Sequence, residues 1–301
     1  MRELAGVFAP NVTPFRQEDG EIDYEWMGQH LAYLRARGCD GVVPAGTTSE
    51  GPSLGYDERC RLVDYVVEHA DGLAVIMGTG TPSLADTIRL TRYAFMAGAD
   101  AALVVPPYYY RSVPVEGLIA FYRRLCDAAL EPGQQIYLYH IPHVSGVPVS
   151  FELLDGLMET HAECVGGIKD SSRDPELLRQ FITRYPGLRI FCGSDNLALD
   201  AFSNGAAGTI TVMANLVPDL LQAIRRSVGQ PEAESLQAQL TAARKALQPF
   251  PVHAAVKYAL QTLAGLPPAA TRPPNVELTT EQQAALQPVI AQLQSLTAVA
   301  G

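Results

Sequence analysis

Lysine is scarce in this chain. Only Lys169, Lys245 and Lys257 occur, and the other nineteen of the 22 Lys and Arg residues are arginine. Positive charge is outnumbered as a whole, and the formal net charge is −10. That balance argues against nucleic acid and against an anionic membrane surface as partners, and any small anion must be bound by local donors. No apolar run reaches 18 residues, and the N-terminus lacks a charged-then-apolar leader pattern. Cytoplasm is therefore the expected compartment. Cysteines are few. Cys39, Cys60, Cys126, Cys164 and Cys192 are odd in number and form no C-x-x-C, which predicts reduced, mostly buried thiols. The six histidines form no H-E-x-x-H and no i,i+4 pair, so neither a metal nor another cofactor is expected. No G-x-G-x-x-G occurs, which removes the phosphate turn a doubly wound dinucleotide fold would need.

What is present is alternation. Short apolar runs at 6–12, 41–45, 74–78, 101–106, 136–140, 165–169, 189–193 and 208–212 read as strands buried on both faces. Helix-length amphipathic segments lie between them, at 24–37, 56–69, 84–97, 115–129, 150–161, 175–185, 197–204 and 218–227. Eight such units predict an α/β fold, a (β/α)8 TIM barrel occupying 1–227. Three further helices, at 232–248, 252–263 and 280–298, predict a C-terminal helical domain over 228–301.

In a barrel the chemistry belongs at the C-terminal ends of the strands. Lys169 ends the sixth strand, ahead of a capped helix start. An arginine cannot shed its proton at working pH, whereas a desolvated lysine can attack a carbonyl and form an imine. The second strand ends in Gly46-Thr47-Thr48-Ser49-Glu50-Gly51, a small-residue turn whose amides and hydroxyls suit a carboxylate or phosphate. Strand four runs into Tyr108, Tyr109 and Tyr110, of which at least one should reach a cavity or a subunit interface. Alternation puts Tyr137 and Tyr139 on one side of strand five, with Tyr139 nearer its end and able to face Lys169. Gly193, Ser194 and Asp195 make a polar rim suited to substrate hydroxyls. Read alone, each of these segments serves equally as a helix cap, a core tyrosine or an interface patch.

Taken together, GTTSEG, PPYYYR, YHIPHVSG and GGIKDSS, in that order on those strands, resemble the family of dihydrodipicolinate synthase and N-acetylneuraminate lyase. The resemblance spans essentially the whole chain. It implies metal-free class I chemistry on a pyruvate-like 2-oxo acid, with Lys169 forming the imine and Tyr139 shuttling protons. It further implies that Thr47 and Thr48 hold the carboxylate and relay protons, with Ser171 beside them. Tyr109 is implied to enter a neighbouring subunit's site, giving a homotetramer built as a dimer of dimers. Gly193 and Asp195 are implied to contact the sugar-acid end.

One departure steers the substrate. Where the synthase branch carries an arginine to grip a second carboxylate, this chain has Val144. Valine cannot make a bidentate carboxylate contact, and the basic neighbours in that loop, His140 and His143, lack a guanidinium fork. Two further positions differ from the sialic acid lyases, at Asn196 and Val212. By elimination, the expected reaction is reversible cleavage of a 2-oxo-4-hydroxy acid, such as a 2-keto-3-deoxy sugar acid, to pyruvate and an aldehyde. The alternatives are a synthase-type condensation, a keto-acid dehydratase using the same lysine, and a non-catalytic keto-acid sensor. The last has no need of an imine lysine or a proton shuttle.

Overall fold

A computed structural model describes residues 3–299. Eight parallel strands close into one barrel in sequence order. They are β1 (Gly6–Ala9), β2 (Gly41–Val42), β3 (Ala74–Gly78), β4 (Ala101–Val104), β5 (Ile136–His140), β6 (Val165–Asp170), β7 (Arg189–Cys192) and β8 (Gly208–Ile210). Closure comes from β1 pairing with β8. Several ladders are shorter than their apolar runs, and proline explains three of them. Pro10, Pro44 and Pro106 have no N–H to donate, so β1, β2 and β4 stop just before them. The residues beyond remain buried, or half-buried at Val105, but as loops.

The barrel interior is filled by side chains including Phe8, Ile76, Leu103, Tyr137 and Phe191. Phe8 and Phe191 meet edge to face at 5.2 Å. The helices between strands pack their apolar stripes on the outside, as in Tyr56–His69, Leu84–Ala97 and Val115–Ala129. After β8 and helix Pro218–Arg226 come Ala233–Leu247, Val252–Leu263 and Thr280–Val299.

This C-terminal segment is tied back to the barrel at several points. Gln237 Nε2 donates to the Asp195 carbonyl at 3.0 Å, and Trp26 Nε1 donates to the Pro267 carbonyl at 2.8 Å. Among the described residues no helix is long and apolar enough to cross a membrane. All five cysteines are free, four of them buried and Cys164 half-buried.

Candidate active site

β5 and β6 lie side by side with Tyr139 opposite Lys169. Tyr139 points into the barrel interior, as Tyr137 does one layer below. Lys169 is only 3% exposed, and its Nζ sits 4.2 Å from the centroid of the Tyr139 ring. The Tyr139 hydroxyl is 3.4 Å from Thr47 Oγ1. Burial alone raises the pKa of this phenol. The Lys169 charge, then hydrogen bonds with Thr47, Lys169 and Ser171, outweigh burial and bring it below the ordinary phenol value. A phenol softened in this way, beside an amine, is suited to giving and taking a proton.

The loop carrying Thr47 and Thr48 is strained and locked. Ala45 and Glu50 both adopt left-handed backbone, with φ of 55° and 56°. Such geometry in non-glycine residues persists only where surroundings enforce it. Thr13 Oγ1 donates to the Ser49 carbonyl at 2.7 Å, and His253 Nε2 lies 3.1 Å from the Thr47 carbonyl. Glu50 is fully inside. Its Oε1 accepts from Lys257 Nζ at 2.6 Å, and its Oε2 accepts from Arg272 N and Asn275 Nδ2, each at 2.9 Å. Burial pulls the Lys257 amine below its ordinary value, against the opposing charge of Glu50.

These elements surround a cavity of about 240 Å³ at the C-terminal mouth of the barrel. Lys169, Tyr139, Thr47, Thr48, Ser171, Gly193, Asp195 and Val144 all line it. Thr47, Tyr139 and Val144 also border an adjoining cavity of about 110 Å³ that includes Tyr108. Gly193 is required by close approach, since a Cβ there would lie 1.9 Å from Ser171 Oγ. Asp195 is already engaged, accepting from Met213 N at 3.3 Å with Arg244 Nε 3.5 Å away. Its burial raises its pKa in spite of these partners.

Tyr109 does not line either cavity. It stands 76% exposed, edge to face with Tyr110. Asp170, next to Lys169, also points elsewhere, accepting from Ser172 N and Oγ at 3.0 Å each. Burial raises Asp170 to about 6.

Val144 lines the mouth, and the guanidinium groups of Arg173 and Arg244 border the same cavity. Of the two histidines, only His143 lines it. His140 is turned inward, its Nδ1 accepting from Val149 N at 2.9 Å, and burial followed by the His143 charge lowers it to about 4. Arg111 packs on Gly146 instead of lining the cavity, its Cδ 2.7 Å from where a Gly146 Cβ would sit. A barrel mouth is assembled from many loops, and these two arginines come from the β6 loop and from helix Ala233–Leu247. Arg173 stands four residues after the lysine and was not singled out from the sequence. Arg244, Gln248 and His253 also line the cavity, and no local motif marks them.

The comparisons with known proteins agree with this architecture. The model described as the dihydrodipicolinate synthetase family matches residues 3–293. An uncharacterized DapA-like lyase of Chloroflexus aurantiacus is 41% identical over 288 residues, covering 95% of this chain and 96% of that protein. A 4-hydroxy-tetrahydrodipicolinate synthase of Methanopyrus kandleri is 34% identical over 284 residues, covering 91% of each. Among solved structures, KD(P)GA from T. tenax superposes with a TM-score of 0.87 at 28% identity, over 96% of this chain and 99% of the other.

Proposed function

The chain belongs to the dihydrodipicolinate synthetase family of class I pyruvate-dependent lyases, and on that premise we propose that it is an aldolase. It reversibly cleaves a 2-oxo-4-hydroxy acid, of the 2-keto-3-deoxy sugar acid type, to pyruvate and an aldehyde. The observation that carries this is the buried Lys169 amine set against the Tyr139 phenol in the lining of the mouth cavity. The neutral amine attacks C2 of the substrate, and water leaves to give an imine. Tyr139 takes the proton of the C4 hydroxyl as the C3–C4 bond breaks. The bonding pair moves into the imine, giving an enamine and a free aldehyde. Protonation at C3 and hydrolysis then release pyruvate and regenerate Lys169.

In this reading the Thr47 and Thr48 hydroxyls and loop amides hold the C1 carboxylate, and Ser171 steadies Tyr139. Thr48 and a neighbouring subunit's Tyr109 extend the proton path to solvent. Gly193 leaves room for the sugar-acid end. The exposed Tyr109–Tyr110 pair supports assembly of a homotetramer, a dimer of dimers, and the five free thiols support a reducing, cytoplasmic compartment.

Condensation of pyruvate with a carboxylate-bearing semialdehyde is the second reading. Arg173 and Arg244 favour it, and Val144 in place of a carboxylate-gripping residue weighs against it. Borohydride reduction in the presence of pyruvate tests the mechanism common to both. A stable adduct is expected on Lys169, and an adduct only on Lys245 or Lys257 sinks it. Product analysis then separates them. Pyruvate release from a keto-deoxy sugar acid supports cleavage, and efficient formation of a cyclic product from aspartate semialdehyde supports condensation.

A further inference from the structure

We propose that Asp170 is a positioning residue for the reaction: set opposite His140 behind the Lys169–Tyr139 couple, it holds Ser171 against the Tyr139 phenol without touching substrate. The inference rests on the reading above, in which Tyr139 moves protons and Lys169 carries the imine. It assigns a task to two buried ionisable groups that the reaction itself leaves unused.

The geometry comes first. β5 and β6 pair so that two cross-strand couples follow one another, Tyr139 opposite Lys169 and then His140 opposite Asp170. Successive side chains of a strand point to opposite faces. The first couple therefore faces the barrel interior and the second faces the helical layer, where the His140 ring meets Phe181 at 5.7 Å. His140 Nδ1 accepts from Val149 N, which leaves the imidazole proton on Nε2. That nitrogen faces Asp170 Oδ1 at 3.9 Å, with both side chains buried.

Asp170 fixes the chain on both sides of Ser171. Its carbonyl accepts from Gly193 N at 2.6 Å, and Ser171 N donates to the His140 carbonyl at 2.8 Å. Its carboxylate reaches across Ser171 to the next residue, with Ser172 N donating to Oδ1 and Ser172 Oγ to Oδ2, each at 3.0 Å. Ser171, enclosed by this ring, is left to face the cavity, where it bonds with Tyr139 and packs against Gly193.

The ring depends on charge. An ionised carboxylate accepts from both Ser172 groups at once, whereas the protonated acid turns one oxygen into a donor and gives up one of those bonds. Burial, aided by the Asp174 charge, raises Asp170 from the ordinary 3.8 to about 6, so it ionises close to neutrality. The other groups around it are His140 from β5, held near 4 by burial and by His143, and Cys192 from β7, pushed up to about 12 by burial. Both stay neutral across roughly pH 5 to 8. Lys169 lies on the opposite face of the strand. Holding the anion here opposes folding: the folded chain binds the proton more tightly than the unfolded one, so stability falls as pH rises from 3.8 toward 6. That cost points to a role outside stability.

The experiment follows exchange of the pyruvate methyl hydrogens with deuterium by NMR, which needs an imine and a proton shuttle but no aldehyde. Wild-type exchange should fall in acid with a midpoint near 6. Ser172→Ala removes one bond to the ionised acid and should move that midpoint upward by roughly half a unit to one unit. Asp170→Asn should abolish the acid limb. At pH 8 it should slow exchange by on the order of 10- to 100-fold while borohydride trapping of pyruvate stays within about threefold of wild type. Combining it with Ser171→Ala should be no slower than the slower single variant, because both act on one contact.

An acid limb with the same midpoint in both the Ser172→Ala and the Asp170→Asn proteins overturns the proposal. So does trapping that falls as far as exchange, which would make Asp170 a support of the lysine or of the fold. If Asp170→Asn does not fold, the midpoint in Ser172→Ala decides alone. Wild-type trapping without an acid limb near 6 sinks only this role, whereas absence of trapping sinks the imine reading and this role with it.

Discussion

Lys257 Nζ lies 2.6 Å from Glu50 Oε1, with the two side chains 1% and 0% exposed. The pair joins the loop after β2 to the C-terminal helix Val252–Leu263. It holds Glu50 in left-handed backbone, two residues from Thr48. Removing one member leaves an uncompensated buried charge, which typically destabilises by about 3–5 kcal/mol. Lys257→Met should therefore lower the urea midpoint strongly, and Glu50→Gln should do so less. At temperatures where it is still folded, Lys257→Met should trap pyruvate more slowly, because Thr47 and Thr48 lose their anchor. Unchanged trapping in folded Lys257→Met would show that the loop holds its shape without the pair.

Tyr139→Phe removes the only phenol placed against the Lys169 amine and the Thr47 hydroxyl among the described residues. Loss of a positioned general acid–base lowers rates by on the order of 10²- to 10⁴-fold. Cleavage should fall by that factor while borohydride trapping of pyruvate survives in part. A wild-type turnover number in this variant would remove Tyr139 from the proton path.

His30 is predicted to weaken the fold in acid. It is wholly buried against Trp26, and among the described residues neither ring nitrogen makes a well-formed hydrogen bond. Burial, only partly opposed by the Asn215 backbone, lowers its pKa to about 3. The unfolded chain takes up a proton below pH ~6.5 and the folded chain does not, so stability drops as pH falls from ~6.5 toward 3. His30→Leu removes that penalty. Its gain in melting temperature should be larger at pH 5 than at pH 8, and an equal gain at both would mean that His30 protonates freely in the folded protein.

Subunit complementation tests Tyr109. If its phenol serves a neighbour's Lys169, then mixing Tyr109→Ala with Lys169→Arg protomers rebuilds a working site in the hybrids. The protomer with an intact lysine receives a tyrosine from its partner. Re-association of two nearly inactive preparations should restore a measurable fraction of wild-type cleavage. Strict additivity of the two residual activities would place Tyr109 outside the neighbour's site.

Much of this molecule was legible in the chain because its signals are periodic or local. The helices Tyr56–His69, Leu84–Ala97 and Val115–Ala129 stand where the apolar spacing put them. The facing of Tyr139 and Lys169 followed from strand alternation. Lys257 was equally conspicuous by rarity, yet its role depends on a glutamate 207 residues away, which no local pattern reveals. The rest of the rim was hidden for the same reason. Val144 was read with its own loop, whereas Arg173 and Arg244 reach the cavity from other elements. The left-handed turn at Arg173 could not be read either, since arginine carries no preference for it.

The long reach from Glu50 to Lys257 also orders events during synthesis. At roughly 5–20 residues per second, the ribosome needs about 10–40 s to supply the partner after Glu50 has been made. Throughout that interval the eight strands can emerge and collapse, but the threonine loop has no cation to hold its strained form. On the proposed chemistry, catalytic competence thus follows the barrel itself, and a prematurely terminated product would be a barrel without a finished mouth. Ribosome-bound chains truncated before residue 250 should fail to trap pyruvate, and trapping by such chains would show that the barrel completes its chemistry on its own.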